Sequence, residues 1–410
     1  MDDTITFYNM GFGDASIISN VSSFSDSPFQ DGESPSQNRP FNLLIDFGSK
    51  NSVKNGDKLS ETIKNACSDI VKRMSRKDVE QNLLITHFHI DHTKFISMLK
   101  PNSIDNIYIR DIYRDAGAAY IFNLAKLFYD APTDKAWEEA WKALKTIPSI
   151  LSLLKSDGQI HFVGEGSKIR KGNLMFNVLS PSRDEFHKHY KKTSNLKKRL
   201  TESDNKMISS FISEYDGFMN FISGKIEGDD REKISFIRNS QNLKGFFSDI
   251  FSEERYSTIK DAWRSNKGAK KRFADLEHDF NIVLEEPNKR LLLCGDEKSN
   301  DMVRILKKRK ENDNSLHYYI TKFPHHGTSS HFILANGGNG YLDFHTRNGF
   351  APLSKMVPYG DLDVRYSDLS DLLLVSNYES FCRRKVDSSI KSICPERFVS
   401  AINSSISFSI

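Results

Sequence analysis

The segment of this chain best suited to chemistry is residues 87–92, HFHIDH, which hold three histidines and one aspartate. It directly follows an apolar stretch that indicates a buried strand. Alternate side chains of an extended chain project to the same side, so His87 and His89 can bind one metal ion together. Asp91 and His92 come where we expect a helix to begin, and they can face a second ion. Imidazole and carboxylate groups suit zinc, iron or manganese, so the segment predicts a metal site; the alternative is a loop of exposed histidines.

Two later segments carry the same residue types. Residues 291–296, LLLCGD, indicate a buried strand that ends in a glycine and Asp296. A carboxylate that leaves a strand end beside a glycine can bridge two cations. Residues 323–329, FPHHGTS, follow another apolar strand. Because the side chains of His325 and His326 diverge, one can bind metal while the other contacts a substrate. Each segment taken alone is also compatible with a solvated loop.

The order of these motifs resembles the metallo-β-lactamase superfamily. Within it, the chain is most similar to the metallo-hydrolase domain of bacterial competence (ComEC-like) DNA-uptake proteins. The pattern GxGDA, LIDxG, HxHxDH, LLxGD and HHGS has its counterparts at residues 11–15, 44–48, 87–92, 292–296 and 325–328. This resemblance implies an α/β fold of the αββα metallo-β-lactamase sandwich type, with a metal site at one edge of the two sheets.

The resemblance also implies a role for individual residues. The implied metal ligands are His87, His89, Asp91, His92, Asp296, His325 and His326. His87 and His89 would hold a first cation, Asp91 and His92 a second, and Asp296 would bridge the two. One of the two adjacent histidines would complete the second site, and Asp46 would brace the metal loop without binding metal.

One expected ligand has no clear counterpart. The superfamily usually supplies a further histidine between the metal loop and the bridging aspartate, and the candidates here are His161, His187, His189 and His278. We select His278, which precedes a segment where the competence branch usually has an Asn-x-x-Ser stretch; an ordinary surface histidine is the alternative. Thr93 and Lys94 stand where relatives often have a glycine, which would either narrow access to the metals or bring the Lys94 cation toward the substrate.

The implied activity is metal-dependent hydrolysis. Two divalent cations, zinc or else manganese, would lower the pKa of a bridging water, and the resulting hydroxide would attack the substrate. Asp91 would orient that hydroxide, and the non-ligating member of the His325–His326 pair would either protonate the leaving oxygen or bind a phosphoryl oxygen. Thr328 and Ser329 are candidate donors to the same group.

The motif order favours a phosphodiesterase or nuclease acting on a nucleic acid or nucleotide. Basic runs at residues 188–199, 264–272 and 307–310 are compatible with a phosphate backbone, although interleaved acidic residues also suit a solvated surface. The alternatives are a hydrolase for a small-molecule ester, thioester or phosphodiester, and a non-catalytic binding module of the same fold.

These motifs need strands and helices to position them. Strand-like and helix-like segments alternate on both sides of residues 182–276, which favours a layered α/β core. Residues 182–276 are rich in charged residues, and their pattern predicts a helical insertion. We therefore predict a first half of one domain at 1–181, the insertion at 182–276 and the second half at 277–410.

Composition sets the remaining limits. The chain has 410 residues, 38% hydrophobic and 27% charged, which is ordinary for a globular protein. Its 58 basic and 54 acidic residues give a net charge of +4, so any basic surface must be local. Four scattered cysteines indicate free thiols. The absence of an apolar run long enough for a leader or a spanning helix predicts a cytoplasmic protein without membrane insertion.

Overall fold

The computed structural model describes residues 3–11, 13–20, 39–49, 58–110, 150, 152–182, 281–288, 290–312, 315–328, 331–334, 342–351, 364–375, 398–400 and 405–410. Beyond Ser182, the predicted insertion at 182–276 lies outside these residues, as do His187, His189, His278 and Ser329.

The described residues contain strands, helices and short 3₁₀ turns. The strands are β1 (Thr4–Tyr8), β2 (Ser16–Ser19), β3 (Phe41–Ile45), β4 (Glu80–Leu84), β5 (Ile104–Arg110), β6 (Leu154–Val163), β7 (Lys168–Lys171), β8 (Leu174–Ser180), β9 (Val283–Glu285), β10 (Leu291–Leu293), β11 (Leu316–Lys322), β12 (Phe344–Ala351), β13 (Ser370–Val375), β14 (Phe398–Ser400) and β15 (Ser405–Ser409). The helices are α1 (Lys58–Met74), α2 (Ile90–Thr93) and α3 (Ser299–Asn312), and the 3₁₀ turns are Ile96–Met98, Pro324–Gly327 and Val364–Leu369.

The strands form two mixed sheets. The first has the order β15-β1-β2-β3-β4-β5-β6, and the second has the order β14-β13-β12-β11-β10-β9-β8-β7. In the first sheet, β3 to β6 are parallel and the strands on the β1 side are antiparallel. In the second, β10 to β14 are parallel and β7 to β10 are antiparallel. Each sheet therefore has a run of parallel strands whose carboxyl ends can present loops at one edge.

The two sheets share one apolar core. It combines Ile5, Phe7, Leu43 and Ile45 from the first sheet with Phe176, Leu284, Ile320 and Phe350 from the second. The Phe7 and Phe350 rings stack across the interface with centroids 4.4 Å apart. Burying each such side chain contributes about 1.5–3 kcal/mol, so this core holds the sheets, and the loops at their edges, in fixed register.

Helices cover outer surfaces of the sheets. In α1, Ile63, Cys67, Ile70 and Met74 recur every three to four residues and are buried. Asp69 of this helix accepts a hydrogen bond from the Tyr8 hydroxyl at 2.7 Å, which fixes α1 against the first sheet. In α3, Met302, Ile305 and Leu306 join a second apolar cluster on the second sheet.

The predicted α/β class is confirmed. The apolar periodicity of residues 59–74 predicts a helix, which is α1, and the apolar segments that predict strands within the described residues each form one. The helix predicted to begin near His92 is α2, which ends at Thr93 and is followed by a separate 3₁₀ turn at Ile96–Met98. The sequence does not predict strands β7, β12, β14 and β15 or helix α3. Charged and polar residues interrupt the apolar ones in β7, β12 and α3, β14 has only three residues, and serines alternate with apolar residues in β15. Within the part of the chain described, no helix has the length and apolarity needed to cross a membrane.

Candidate metal centre

Loops from both sheets meet at one edge of the structure. Asp46 follows β3, residues 86–93 follow β4, Asp296 follows β10, and the His325–His326 pair follows β11. Main-chain hydrogen bonds join these loops: Ile282 N–H to Thr86 O at 3.0 Å, and His325 N–H to Gly295 O at 3.1 Å. The turn between β1 and β2 joins them through Asp14 N–H, which donates to Asp91 O at 3.0 Å.

One group of possible metal ligands consists of His87, His89 and Asp296. Their ligand atoms all lie within 4.8 Å of one another. His87 Nε2 is 2.9 Å from His89 Nδ1 and 3.7 Å from Asp296 Oδ2. His87 and Asp296 are buried, and His89 is half-buried. We call these three residues the first group.

A second group consists of Asp14, His92, Asp296 and His326, all of them buried. His92 Nε2 lies 3.4 Å from Asp296 Oδ2 and 3.6 Å from Asp14 Oδ2. His326 Nδ1 lies 3.9 Å from the same Asp14 oxygen. Asp296 belongs to both groups, so its carboxylate stands between them.

The donor atoms of the second group fit a divalent cation. Their separations of 3.4, 3.6 and 3.9 Å exceed those of ordinary hydrogen bonds, about 2.7–3.2 Å. Two atoms that bind one tetrahedral ion at about 2.1 Å lie about 3.4 Å apart. His92 Nε2 is also fully buried and makes no hydrogen bond within the described residues, although buried polar atoms are normally satisfied.

Asp46 stabilises the loop at residues 86–93 through contacts with Thr86 and His92. Its Oδ1 accepts a hydrogen bond from Thr86 N–H at 2.8 Å. Its Oδ2 accepts one from the Thr86 hydroxyl at 2.7 Å and lies 2.8 Å from His92 Nδ1. A carboxylate in this position favours the proton on Nδ1 and leaves His92 Nε2 as the ligand atom. Asp46 belongs to neither group.

A tight turn places the shared carboxylate. Gly295 has a φ of +53°, and a Cβ there would lie 2.3 Å from Asn281 Oδ1. Asn281 Oδ1 accepts a hydrogen bond from Asp296 N–H at 3.0 Å, and Asn281 Nδ2 donates to Cys294 O at 2.8 Å. Because Asn281 packs against Gly295 and bonds to the main chain on either side of it, the position of Asp296 depends on the absence of a side chain at Gly295.

Both adjacent histidines face the cluster. His325 and His326 have φ values of 45° and 59°, a left-handed backbone that turns the two rings inward in succession. His326 Nε2 is 3.3 Å from Asp91 Oδ2, whereas its Nδ1 faces Asp14. His325 Nε2 is 3.8 Å from Asp296 Oδ2, and its Nδ1 is 2.8 Å from Thr328 Oγ1. His326 therefore belongs to the second group, and His325 lies beside the shared carboxylate.

The electrostatics of the cluster favour positive charge. Burial opposes a charge on His92, but the Asp296 and Asp46 carboxylates outweigh it and hold the pKa of His92 well above its usual range. Burial likewise opposes ionisation of Asp296, yet His92 and His325 hold the pKa of Asp296 well below its usual range. The carboxylates that favour a proton here would equally favour a metal cation.

Several residues named from the sequence are placed differently from the pair of sites expected. Asp91 is in neither group, although it contacts His326. The Lys94 ammonium lies 5.5 Å from the centroid of the Phe95 ring. His161 is on β6, where its Nε2 is 3.0 Å from Asn106 Oδ1, and it joins neither group.

Three residues of the cluster were missed. Asp14 lies in the GxGDA motif at 11–15 and could have been selected from it. Asn281 lies three residues after His278, in the segment that resembles an Asn-x-x-Ser stretch, and that resemblance is the signal that could have identified it. Lys322 Nζ lies 2.9 Å from Asp14 Oδ2, and no spacing in the sequence signals that pair.

Neither a protein-family model nor a curated protein matches this chain.

Proposed function

We propose that the protein is a metal-dependent hydrolase with two divalent cations, one at each group. The observation that carries this proposal is Asp296, a single buried carboxylate shared by two sets of ligand atoms. A carboxylate shared by two ligand sets can hold two cations close together, as in dinuclear hydrolytic sites. Zinc suits the mixed imidazole and carboxylate ligands, and manganese is the second choice.

The ligand sets follow from the distances above. His87, His89 and Asp296 would hold the first cation, and Asp14, His92, Asp296 and His326 the second. Bound there, the cations would supply an activated water and neutralise negative charge that develops in the transition state.

The remaining side chains would orient groups and move protons. Asp91 Oδ2, 3.3 Å from His326 Nε2, would fix the tautomer and orientation of that ligand. Thr328 Oγ1, 2.8 Å from His325 Nδ1, would hold His325 so that its Nε2 faces the reaction centre. His325 Nε2 is then the atom that would protonate the leaving oxygen.

The proposed substrate is a phosphodiester of a nucleic acid or nucleotide. This rests on the order of motifs at residues 11–15, 44–48, 87–92, 292–296 and 325–328, which resembles the competence branch of the metallo-β-lactamase superfamily. Two mixed sheets with outer helices are compatible with the αββα sandwich of that superfamily. The exposed Lys307 on α3 adds local positive charge, whereas its neighbour Lys308 is paired with Glu165. A cytoplasmic setting is part of the same proposal.

A small-molecule ester, thioester or phosphodiester is the second candidate substrate. The observation in its favour is that every member of the second group is buried. A narrow approach would admit a small molecule more easily than a polymer.

The test combines metal content with hydrolysis. Purified protein would be stripped with chelator, reloaded with zinc or manganese, and assayed on bis-p-nitrophenyl phosphate, on single- and double-stranded DNA, and on p-nitrophenyl esters and thioesters. The variant His89→Ala plus Asp91→Ala removes one histidine and one aspartate of the site. The matched control, His345→Ala plus Asp371→Ala, removes a surface pair whose Nε2 and Oδ1 atoms are 3.0 Å apart.

The outcomes separate the candidates. Two bound cations, with cleavage lost in the site variant and kept in the control, would support the phosphodiesterase. Two cations and hydrolysis only of p-nitrophenyl esters or thioesters would favour the small-molecule substrate. A wild-type protein that binds neither metal would refute the proposal.

A further inference from the structure

A buried lysine contacts the second group. Lys322 is the last residue of β11, and its side chain is only 7% exposed. Its Nζ lies 2.9 Å from Asp14 Oδ2 and 3.5 Å from Gly295 O. An ammonium taken out of water costs several kcal/mol unless an opposite charge compensates it, and Asp14 is the carboxylate in contact with it.

The same Asp14 oxygen faces the ligand atoms of the second group. Asp14 Oδ2 is 3.6 Å from His92 Nε2 and 3.9 Å from His326 Nδ1. A cation shared by these atoms and the Lys322 ammonium would therefore both interact with one carboxylate oxygen. Because the two positive charges repel each other in a buried environment, each reduces the benefit of the other.

We propose that Lys322 is a positioning residue for the second cation. While the second group is without metal, the Lys322 ammonium neutralises Asp14 and keeps that carboxylate directed into the group. When a cation binds, the same ammonium lowers its affinity. The inference rests on the proposed function, because it requires the second group to bind a divalent cation. It adds a reason why the two positions would differ in affinity, since Lys322 contacts a ligand that only the second group contains.

The consequence is a coupling between Lys322 and metal. Without metal, Lys322→Met leaves Asp14 as a buried carboxylate without its ammonium, so the variant is less stable than wild type. With metal bound, the cation replaces the missing positive charge, and the difference in stability between Lys322→Met and wild type becomes smaller. The second cation should bind at least tenfold more tightly to Lys322→Met than to wild type, and each tenfold corresponds to about 1.4 kcal/mol of recovered stability.

The experiment measures binding and stability separately. Zinc chloride would be titrated calorimetrically into stripped full-length protein, and urea unfolding would be recorded with chelator and with saturating zinc. Lys171→Met is the matched control, since Lys171 is another buried lysine in an ion pair, 2.5 Å from Glu80 and outside both groups. Its loss of stability should be the same with and without zinc.

A second variant protects the test against misfolding. Asp14→Asn removes a ligand and should weaken the second cation, an effect opposite in sign to that of Lys322→Met. If Lys322→Met does not fold, Asp14→Asn plus Lys322→Met removes both charges, and its zinc affinity should fall between those of Asp14→Asn and wild type.

Three results would overturn the inference. In the first, wild type binds two zinc ions and Lys322→Met binds the second no more tightly, which leaves the proposed function intact. In the second, the stability deficit of Lys322→Met is equal with and without zinc, which makes the pair purely structural. In the third, wild type binds no second zinc, which removes the dinuclear proposal as well.

Discussion

Gly295→Ala should damage both the stability of the fold and the placement of the shared carboxylate. The new Cβ would lie 2.3 Å from Asn281 Oδ1 and 2.6 Å from Asn281 Nδ2, closer than Cβ contacts normally come. Asn281 must move, and it then gives up its hydrogen bonds to Asp296 N–H and Cys294 O. Asp296 loses the contact that fixes its main chain.

The expected loss in the free energy of unfolding of Gly295→Ala has two parts. An alanine in the left-handed region, where Gly295 has a φ of +53°, costs roughly 1–2 kcal/mol. Two displaced hydrogen bonds add about 1 kcal/mol each. The total loss is about 3–4 kcal/mol. Gly166→Ala isolates the first part, because Gly166 has a φ of +86° and nothing lies within 4 Å of its added Cβ.

Urea unfolding in chelator measures these losses directly. Gly295→Ala should lose about 2 kcal/mol more than Gly166→Ala, which is the hydrogen-bond part. In an Asn281→Ala background the obstructing side chain is gone, so Gly295→Ala should cost only its backbone part. Zinc titration should show affinity lowered about 10–100-fold, as for other residues that orient ligands. Equal losses for both glycine variants, or unchanged zinc affinity in Gly295→Ala, would refute the reasoning.

Three further predictions concern single side chains. Asp46→Asn should lower zinc affinity about 10–100-fold and the free energy of unfolding by about 2–3 kcal/mol; Asp371→Asn, at an exposed carboxylate, is the control for both measurements. Burial raises the pKa of Cys67 to about 12, so iodoacetamide at about pH 8 should label this thiol, as read by mass spectrometry, only after unfolding; labelling at the unfolded rate in native protein would contradict this. Burial, with the nearby Lys171, lowers the pKa of His161, so the unfolded chain binds more protons and stability should fall as pH drops below about 6.5. Urea unfolding of metal-free His161→Gln should show a smaller fall over this range than wild type, and an identical fall would refute the assignment.

The sequence was most informative where function depends on local spacing. The alternation of His87 and His89 on an extended segment, and Asp296 at a strand end, are local patterns, and the structure brings these three residues together. The α/β class followed from the alternation of strand-like and helix-like segments. That Asp296 joins the two histidines was implied by the resemblance of the motif order, because local spacing does not say which distant segments meet.

Contacts between loops that are far apart in the chain could not be predicted from the sequence. Asp14 reaches the second group because its N–H bonds to Asp91 O and its own carbonyl accepts from Gly48 N–H at 3.1 Å. Lys322 reaches Asp14 only because the two sheets pack face to face. Conversely, His161 was a reasonable ligand candidate by type, but β6 directs it to Asn106. Contacts of this kind depend on sheet packing, which residue spacing does not encode.

The two groups also differ in how much of the chain they require. The first group uses residues 87, 89 and 296, whereas the second uses residues 14, 92, 296 and 326. During synthesis, Asp296, the last ligand of the first group, is made before His326, the last ligand of the second. Both groups nevertheless combine residues that follow strands of the first sheet with Asp296, which follows a strand of the second. Either proposed cation would therefore bind only to a chain whose two sheets have already met, and bound metal would report that the sheets are joined.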